Sequence, residues 1–414
     1  MSGPLAGVRV IEMGAYTAGP LCGRYLSNLG AEVIKVEPIK GDPLRGFAFK
    51  VDGVSYMFHL HNYNKKGVAI DTGTDEGRRL VHALIARADV LIENFAYGNM
   101  DKWGFGYEAL KKIQPGLIFC SCSGFGHTGP LRELRAFDSM IQGMSGVVSL
   151  TGYPDGPPVK VGISAADSLS AAAAAMNVVA ALLHKKRTGR GQLINLSMQD
   201  VLGSTTAPFW PDVAAGNAVE RDGNHDATLA PQNVYASADG LVAIEVSRDE
   251  ELAALLDISG ADADLRPATP AEAKRCEAAL DGHLRAWVAP QRTADVVAAC
   301  RARGVPAAPV QQMGDVAENP HTWVRGALCE VPRPGQGPES ESGKLKVMGS
   351  PYRFSRSDAV VQDPAPVIGE HTAVVLRGVL GLDEEEIARL VAAGIVALGK
   401  PLAAADNYRE FQNS

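Results

Sequence analysis

The sequence predicts an α/β fold with a parallel sheet, followed by a second lobe of different texture. Over about the first 200 residues, helix-length segments alternate with the strand-like runs "GVRVIEM", "AEVIKVEP", "GVAIDT", "DVLIENF" and "GLIFCSCSGFG". Strands separated in this way predict parallel pairing through crossover helices. Near residue 210 the pattern changes to loops, a hairpin about "ADG" and amphipathic helices over 249–257, 270–287 and 293–303. We therefore expect two or three lobes.

The size and charge of the chain narrow the classes of function. Its 414 residues exceed one ordinary core, and its hydrophobic content of 46% and charged content of 21% are typical of a globular protein. The net charge of −7, without a basic tract, argues against nucleic acid as a partner. The first residues lack a signal-peptide pattern, and the longest apolar run, 171–183, is too short to span a bilayer. We expect neither a nucleic-acid nor a membrane partner.

The six cysteines are scattered along the chain, which favours free thiols over disulfides. The one close pair, Cys120 and Cys122, lies in a strand-like run, so the two side chains share a face. A metal site would need further ligands nearby, and the sequence offers none. We expect free thiols, no metal and a reducing cytoplasm.

The first strand–helix–strand unit superficially resembles a dinucleotide fold. Its glycines are Gly14, Gly19 and Gly23, which do not have the G-x-G-x-x-G spacing that brings the backbone close to a pyrophosphate. The spacing therefore disfavours a nicotinamide or flavin enzyme. The sequence also contains no Walker loop, HExxH or GxSxG motif.

A long apolar helix is predicted over 167–186, with Gly189 as its stop, and it begins at a lone acid, Asp167. Aspartate is a favoured residue at a helix start, where removal of a capping side chain costs about 1 kcal/mol. The same carboxylate could instead be a nucleophile. Local sequence alone favours the cap, and the two roles can coexist.

A dozen segments together resemble one family. They are, in order, "PLAGVRVIEMGAYTAGP", "LGAEVIKVEP", "GDPLRG", "NKKGVAIDT", "ADVLIENF", "MDKWGFGYEAL", "SGFGHTGPL", "RAFDSMIQGMSG", "KKRTGRGQLINLSMQD", "GNHDATLAPQNVY", "GVPAAPV" and "GEHTAVVL". The chain resembles the family III CoA-transferases, a group that also contains the α-methylacyl-CoA racemases. Each segment alone is a weak signal, but their common order over nearly the whole chain is a strong one.

The resemblance implies a Rossmann-like large domain with a parallel sheet and a smaller α+β domain inserted into it. We expect residues 1–205 to start the large domain, 206–330 to form the small domain with its linkers, and 331–414 to return and complete the large domain. The resemblance also implies an interlocked dimer, either a homodimer or a heteromer with a paralogous subunit.

The implied activity is transfer of CoA from an acyl-CoA, with succinyl-CoA as a candidate donor, to a carboxylic acid. Asp167 aligns with the nucleophilic aspartate of the family, which passes through an aspartyl-acyl anhydride and an aspartyl-CoA thioester. A thioester has a good leaving group, so neither a metal nor a tightly bound cofactor is expected. We expect backbone N–H groups near the helix start to stabilise the oxyanions.

The resemblance carries two sets of binding residues onto this chain. The positions implied to contact CoA are Thr17, Ala18, Asn94, Phe95, Lys102 and Arg135. Thr17 and Ala18 lie beside the reacting thioester, and the two basic residues meet the CoA phosphates. The positions implied to line the substrate pocket are Tyr16, Phe137, Asp138 and Met198, although Met198 is equally explained as a core residue.

The chain departs from the family pattern at several of these places. Ala96 and Tyr97 stand where Arg-Pro is common after "ENF", Gly73 stands where many members have lysine, and Thr17 replaces a glutamine of formyl-CoA transferase. The glycine-rich loop of that enzyme is also not evident. Contacts to CoA are therefore expected to be rearranged, and formyl or oxalyl specificity is disfavoured.

Two alternatives to a self-sufficient transferase remain. The racemases of this fold move a proton with a His–Asp pair, but Phe137 precedes Asp138 here and cannot carry a proton. His127 is near in sequence, and we interpret it as a loop residue. The chain could also be one subunit of a heteromeric transferase, although retention of Asp167 argues against a non-catalytic role.

Overall fold

A computed structural model describes residues 3–47, 49–51, 53–333, 344–359 and 361–399. The chain forms two compact units: one made of 1–147, 161–208 and 320–414, and another made of 148–160 and 209–319. The predicted division at 205/206 and 330/331 differs from these units in three places. Residues 148–160 pack with the second unit, and both 206–208 and 320–330 pack with the first. Parts of the predicted return segment, 334–343, 360 and 400–414, lie outside the described residues.

The first unit contains a seven-stranded sheet, and three smaller sheets occur elsewhere in the described chain. The strands, numbered along the chain, are β1 Arg9–Glu12, β2 Glu32–Glu37, β3 Lys50–Val51, β4 Val54–Ser55, β5 Lys66–Ile70, β6 Val90–Glu93, β7 Ile118–Ser123, β8 Leu193–Ser197, β9 Gln232–Ala236, β10 Leu241–Glu245, β11 Ala307–Pro309, β12 Leu328–Pro332, β13 Lys344–Met348 and β14 Val396–Ala397.

The large sheet has the order β14-β5-β2-β1-β6-β7-β8. The neighbouring strands from β5 to β8 pair in parallel, and β14 adds an antiparallel edge. The first six strands of this sheet along the chain thus follow the doubly wound order, in which ligands bind where the strand order reverses. That point lies between the carboxyl ends of β1 and β6. The predicted α/β fold with a parallel sheet is confirmed.

Helices cover both faces of this sheet and build much of the second unit. The α-helices are α1 Ala18–Asn28, α2 Tyr56–Asn62, α3 Asp75–Ile85, α4 Asn99–Lys102, α5 Tyr107–Ile113, α6 Asp138–Met144, α7 Val147–Leu150, α8 Ala165–Thr188, α9 Met198–Gly203, α10 Trp210–Ala214, α11 Asp249–Ser259, α12 Pro270–Ala273, α13 Glu277–Val288, α14 Thr293–Ala302, α15 Met313–Glu318, α16 Pro320–Val324, α17 Thr372–Val375 and α18 Glu384–Ala392. Short 3₁₀ turns and one π-helical turn complete the set: Pro43–Gly46, Ser204–Phe209, Ala263–Leu265, Lys274–Cys276 and Leu376–Leu380.

Helix α8 is longer than predicted and packs through small side chains. Buried alanines such as Ala171, Ala174 and Ala181 let it lie close to α1 and β7 in one hydrophobic core. It ends at Gly189, whose φ of 72° is in the left-handed region, as predicted. By length and composition α8 could cross a membrane. Core helices of globular proteins can have the same length and composition, so this single helix is weak evidence for a membrane span.

The second unit has its own hydrophobic core around a small antiparallel sheet. Strands β9 and β10 pair antiparallel across the predicted "ADG" turn, and β11 adds to the other edge of β10. The buried side chains of Tyr235, Val242 and Ile244 face α11, α13 and α14 in that core. The predicted α+β character of this lobe is thus observed.

A buried ion-pair cluster lies beneath the carboxyl ends of β1 and β2. The Glu12 carboxylate bridges two lysines, with Nζ of Lys35 at 3.1 Å and Nζ of Lys65 at 2.6 Å, and all three side chains are fully buried. Lys35 also pairs with Asp42 at 2.9 Å and donates to the carbonyl of Gly14. The cluster therefore fixes the backbone immediately after β1.

We predict that Glu12→Gln lowers the free energy of unfolding by about 3–5 kcal/mol, because two buried ammonium groups lose their shared counter-charge. Urea denaturation measures the change. Glu32→Gln is the matched control, since Glu32 also bridges two cations, Arg9 at 2.7 Å and Lys66 at 2.6 Å, but its side chain is 29% exposed. The control should cost no more than about 1 kcal/mol. Equal losses in the two variants would contradict a structural role for the buried cluster.

Candidate active site

The loop after β1 places three predicted site residues at the point where the strand order reverses. Tyr16 has a φ of 60°, and its N–H donates to Asp42 Oδ1 at 3.3 Å. His61 Nδ1 lies 3.4 Å from the Tyr16 carbonyl oxygen. Thr17 and Ala18 follow as the buried start of α1. Contacts from neighbouring segments thus hold the loop in an uncommon backbone conformation.

Asn94, at the carboxyl end of β6, binds the loop from the other side. Its Oδ1 accepts from the Ala15 N–H at 2.8 Å, and its Nδ2 donates to the Ala15 carbonyl at 2.9 Å. A Cβ atom on Gly19 would lie 2.8 Å from Asn94 Oδ1, so glycine is required for this close approach. Gly19 therefore makes room for an asparagine, and the side-chain amide of Asn94 is engaged with the Ala15 backbone.

Asp167 lies in the first turn of α8, but it does not cap the helix. The N-cap position is Ser164, which makes no side-chain capping bond. The capping oxygen comes from Asp138 at the start of α6, since its Oδ1 accepts from the N–H of Ala166 at 2.8 Å and from the N–H of Asp167 at 3.3 Å. The expectation that Asp167 caps α8 is therefore wrong, because a tertiary contact supplies the acceptor.

The environment of Asp167 disfavours its ionised form. Burial, followed by the negative charge of Asp138, raises the pKa of the Asp167 carboxyl to about 7. Cys122 on β7 is the other titratable neighbour that senses Asp167, and burial raises the pKa of that thiol well above its usual value. Asp167 is thus a carboxyl group that ionises near neutral pH, which is typical of a functional carboxylate.

Two predicted pocket residues, Tyr16 and Phe137, contact each other through their rings. The rings of Tyr16 and Phe137 meet edge to face with centroids 6.5 Å apart, and the residues are 41% and 65% exposed. Phe137 directly precedes Asp138 in the chain. The structure thereby joins Tyr16 to Phe137 by a ring contact, and it joins Asp138 to Asp167 by a hydrogen bond. Met198 lies in the hydrophobic core at the start of α9, which agrees with its structural interpretation.

A separate cavity of about 190 Å³ opens beyond the carboxyl ends of β6 and β7. Phe95 and Ala96 line it, and the Phe95 ring packs edge to face against Trp103 at 4.9 Å. Lys102 is exposed at the end of α4, whose preceding residues line the cavity, and Arg135 is exposed on the segment before α6. The two predicted basic residues are therefore available to an anionic ligand.

Sequence reasoning missed a hydrogen-bond chain at this cavity. Glu93 is buried at the end of β6, and burial raises the pKa of its carboxyl to about 7 despite a hydrogen bond with Ser121. The Ser121 hydroxyl lies 2.7 Å from His127 Nε2, and the His127 ring contacts Tyr97. The alternation of β7 places Ser121 between the two cysteines already noted, but no sequence signal connected it to His127.

One group of acids and a histidine in the second unit has ligand-like spacing: Asp222, His225 and Glu277. Lys274 lies among them, with its Nζ 3.3 Å from Asp222 and 2.7 Å from Glu277. The ammonium group supplies the positive charge that a metal ion would bring, so this group is satisfied as an ion-pair cluster.

Comparison with known proteins identifies the family of the chain. The sequence profile of CoA-transferase family III matches residues 5–372. The chain belongs to CoA-transferase family III.

Similar members of family III cover almost the whole chain. The succinyl-CoA–D-citramalate CoA-transferase of Chloroflexus aurantiacus is 34% identical over 95% of this chain and 98% of its own. The succinate–glutarate CoA-transferase of Agrobacterium fabrum is 34% identical over 90% of this chain and 95% of its own. A CAIB/BAIF family protein from Brucella suis, 35% identical, covers 92% of this chain and 100% of its own with a TM-score of 0.81. The resemblance and the fold predicted from the sequence are confirmed, and the protein is a CoA-transferase, which uses CoA thioesters as substrates.

We predict that Asp138→Asn lowers the pKa of Asp167 from about 7, because one of its two causes, the neighbouring negative charge, is removed while burial remains. A ¹³C NMR titration of enzyme labelled at the aspartate Cγ measures the change in pKa. The Asp167 signal is identified because it is missing from the spectrum of Asp167→Ala. Asp383→Asn serves as control, since Asp383 caps α18 by accepting from Glu386 N–H at 2.9 Å. An unchanged Asp167 midpoint in Asp138→Asn would contradict the electrostatic account.

Proposed function

We propose that this CoA-transferase moves CoA from succinyl-CoA to a second carboxylic acid, with Asp167 as the nucleophile. The observation that carries the proposal is the half-buried Asp167 carboxyl beside Asp138, with a pKa raised to about 7. A carboxylate of higher basicity is a better nucleophile, and it is still ionised in about half of the molecules at neutral pH.

The proposed reaction is a sequence of acyl exchanges that needs no net proton transfer. The Asp167 carboxylate attacks the thioester carbonyl, and CoA leaves as a thiolate, which gives a mixed anhydride. The thiolate then attacks the aspartyl carbonyl, releases the donor acid as its carboxylate and leaves an aspartyl-CoA thioester. The acceptor carboxylate repeats both steps in reverse and restores Asp167. No tightly bound cofactor is required.

The start of α8 is not a source of oxyanion donors in this proposal, contrary to the expectation from sequence. Its first N–H groups are engaged, because Ala165 donates to Ile163, Ala166 and Asp167 donate to Asp138, and Ser168 donates to Ser164. We instead assign the role to backbone N–H groups of Thr17 and Ala18, since the first turn of α1 presents N–H groups without intrahelical partners.

The CoA moiety is proposed to extend from Thr17 and Ala18 past the Asn94–Phe95 turn. Asn94 holds the loop that carries the first two residues, so its role is to position them. The cavity lined by Phe95 supports this assignment, and the exposed Lys102 supplies charge for the CoA phosphates together with Arg135. Ala96 and Tyr97 line the same cavity, which agrees with a rearranged set of contacts.

The acceptor is proposed to be a small dicarboxylic acid, because the similar transferases are named for succinyl-CoA or succinate with citramalate or glutarate. Phe137 supports transfer over racemisation. Its ring has no group that can accept or donate a proton, so the second base required for epimerisation has no candidate at that position.

We further propose that the enzyme acts as a homodimer in the cytoplasm. Leu169, Met176 and Leu183 are exposed on α8 by 42%, 66% and 55%. Their spacing of seven residues aligns them on one face of the helix, and such an apolar face is typical of packing against another protein surface. The free cysteines support a reducing compartment.

The nucleophile is tested by Asp167→Ala, which should reduce turnover by at least about 1000-fold because no covalent adduct can form. Succinyl-CoA given to the parent should leave a CoA mass adduct on the peptide containing Asp167, and hydroxylamine should remove it with loss of activity. Asp200→Ala is a matched control, since Asp200 occupies the same third position of α9 and should retain activity within about twofold.

The same variant should not lose the capping energy expected from sequence. The Asp167 pKa is raised in the folded state, so the parent loses stability as the pH rises from the unfolded value near 4 to about 7. Asp167→Ala has no carboxyl to ionise, so it avoids this loss of stability and should melt no lower than the parent at pH 8. The difference in melting temperature between variant and parent should be smaller at pH 5. A turnover above about a thousandth of the parent's, or no adduct in the parent, would refute the covalent mechanism.

The pH dependence of kcat/KM follows from the same group. Because only ionised Asp167 attacks, kcat/KM should rise about tenfold per pH unit on the acid side and level off above about 7. Stopped assays of product CoA esters between pH 5 and 9 measure this acid limb of the kcat/KM profile. Asp138→Asn should move the limb to lower pH, and a profile that is flat between pH 5.5 and 8 would exclude Asp167 as the titrating nucleophile.

A further inference from the structure

Gln142 is a fully buried polar residue one turn after Asp138 on α6. No step of the proposed mechanism uses it. Buried glutamine is costly unless its amide is hydrogen-bonded, so its partners indicate what holds it there.

The amide of Gln142 makes three hydrogen bonds, and all of them go to groups around the start of α8. Its Nε2 donates to Asp138 Oδ2 at 2.7 Å and to the Ile163 carbonyl at 3.0 Å. Its Oε1 accepts from the Val161 N–H at 2.9 Å. Since two partners are acceptors and the third is a donor, only one orientation of the amide fits.

These bonds fix Asp138 in one orientation. Gln142 occupies Oδ2, and the N–H groups of Ala166 and Asp167 occupy Oδ1, so neither oxygen is directed at the Asp167 carboxyl by its hydrogen bonds. Without Gln142, Asp138 could rotate about its side chain and share a proton with Asp167, as two adjacent carboxyl groups tend to do.

The same amide fixes the backbone that leads into α8. Val161 and Ile163 bracket the last residues before the Ser164 cap position, and both are tied to Gln142. Gln142 therefore controls the position of Asp167 from two directions: through the Asp138 carboxylate and through the chain that enters the helix.

We propose that Gln142 is a positioning residue for the nucleophile, which holds Asp138 on the N–H groups of α8 and thereby keeps the Asp167 carboxylate separate and free to attack. The inference rests on the proposed function, because it assigns Gln142 a role only if Asp167 is acylated.

The test compares Gln142→Met with Gln114→Met. Gln114 is a matched control in the first unit, because its Nε2 also donates to two acceptors and its Oε1 also accepts from one backbone N–H. Both of its acceptors are backbone carbonyls, those of Ala86 and Ala88, and neither is a carboxylate. Gln142→Met should reduce kcat for succinyl-CoA by about 10- to 100-fold with KM changed less than about threefold, because the nucleophile is misplaced after binding. Gln114→Met should retain the parent's kcat at a comparable loss of melting temperature.

The pH profile separates positioning from a merely structural role. In Gln142→Met a shared proton raises the pH at which Asp167 ionises, so the acid limb of kcat/KM should move up by about half a pH unit or more. The groups that face Asp167 are Asp138 from α6 and Cys122 from β7, and both are unchanged in this variant. Gln114→Met should leave the limb where it is.

A second variant tests the same contact. Gln142→Glu keeps the shape of the side chain but sets carboxyl oxygens against Asp138 Oδ2 and the Ile163 carbonyl, so it should lower kcat and melt below the parent. The activities of both variants are compared at a temperature at which circular dichroism shows them to be folded. The parent is first tested for the CoA adduct at Asp167, and absence of that adduct removes both the proposed function and this inference. If the adduct forms, but folded Gln142→Met and Gln142→Glu keep the parent's kcat and acid limb, the inference alone is overturned.

Discussion

The chemistry of this protein depends on one hydrogen-bonding requirement: the start of α8 lies in the interior, and its N–H groups need acceptors. A side chain of the helix itself could have met that need, as Asp167 was expected to do. Asp138 meets it from α6 instead, and accepts from both Ala166 and Asp167. Because the cap is supplied from outside, the Asp167 carboxyl is not consumed by the helix. The same arrangement places a negative charge beside it, which contributes to its raised pKa. The interaction that caps α8 thus also raises the pKa of the proposed nucleophile.

The doubly wound sheet brings the rest of the site to this place. The loops after β1 and β6 diverge where the strand order reverses, which leaves a crevice at the carboxyl ends of those strands. In nucleotide-binding versions of this topology a glycine-rich turn faces a pyrophosphate. Here Gly19 faces the side chain of Asn94, and the buried Glu12 cluster supports the loop from below. The crevice is therefore lined by a fixed backbone loop, and recognition of ligand charge is proposed to depend on exposed residues such as Lys102.

The sequence predicts the architecture well because the signals for it are local. Strand-like runs such as 118–123 are long enough to identify buried strands, and Gly189 marks a helix end through chemistry within one turn. The site is only partly predictable. Asp167 and Asp138 were found through family motifs, but local sequence favoured a cap at Asp167, since nothing within a turn indicates an acceptor from a helix 29 residues earlier. The roles of Gln142 and His127 depend on such tertiary contacts, and so does the assignment of 148–160 to the second unit.

The raised pKa of Asp167 also affects the free energies of the proposed covalent intermediates. Burial and the Asp138 charge both penalise the ionised carboxylate, whereas an aspartyl anhydride or thioester at the same position is neutral. The environment that makes proton binding more favourable therefore makes acylation more favourable for the same reason. An anhydride is intrinsically less stable than the thioester and carboxylate from which it forms. Destabilising the free carboxylate therefore reduces this free-energy difference in both halves of the exchange. Holding Asp138 ionised and immobile, as Gln142 is proposed to do, preserves this bias, because a proton shared between the two acids would neutralise the charge that disfavours the free nucleophile.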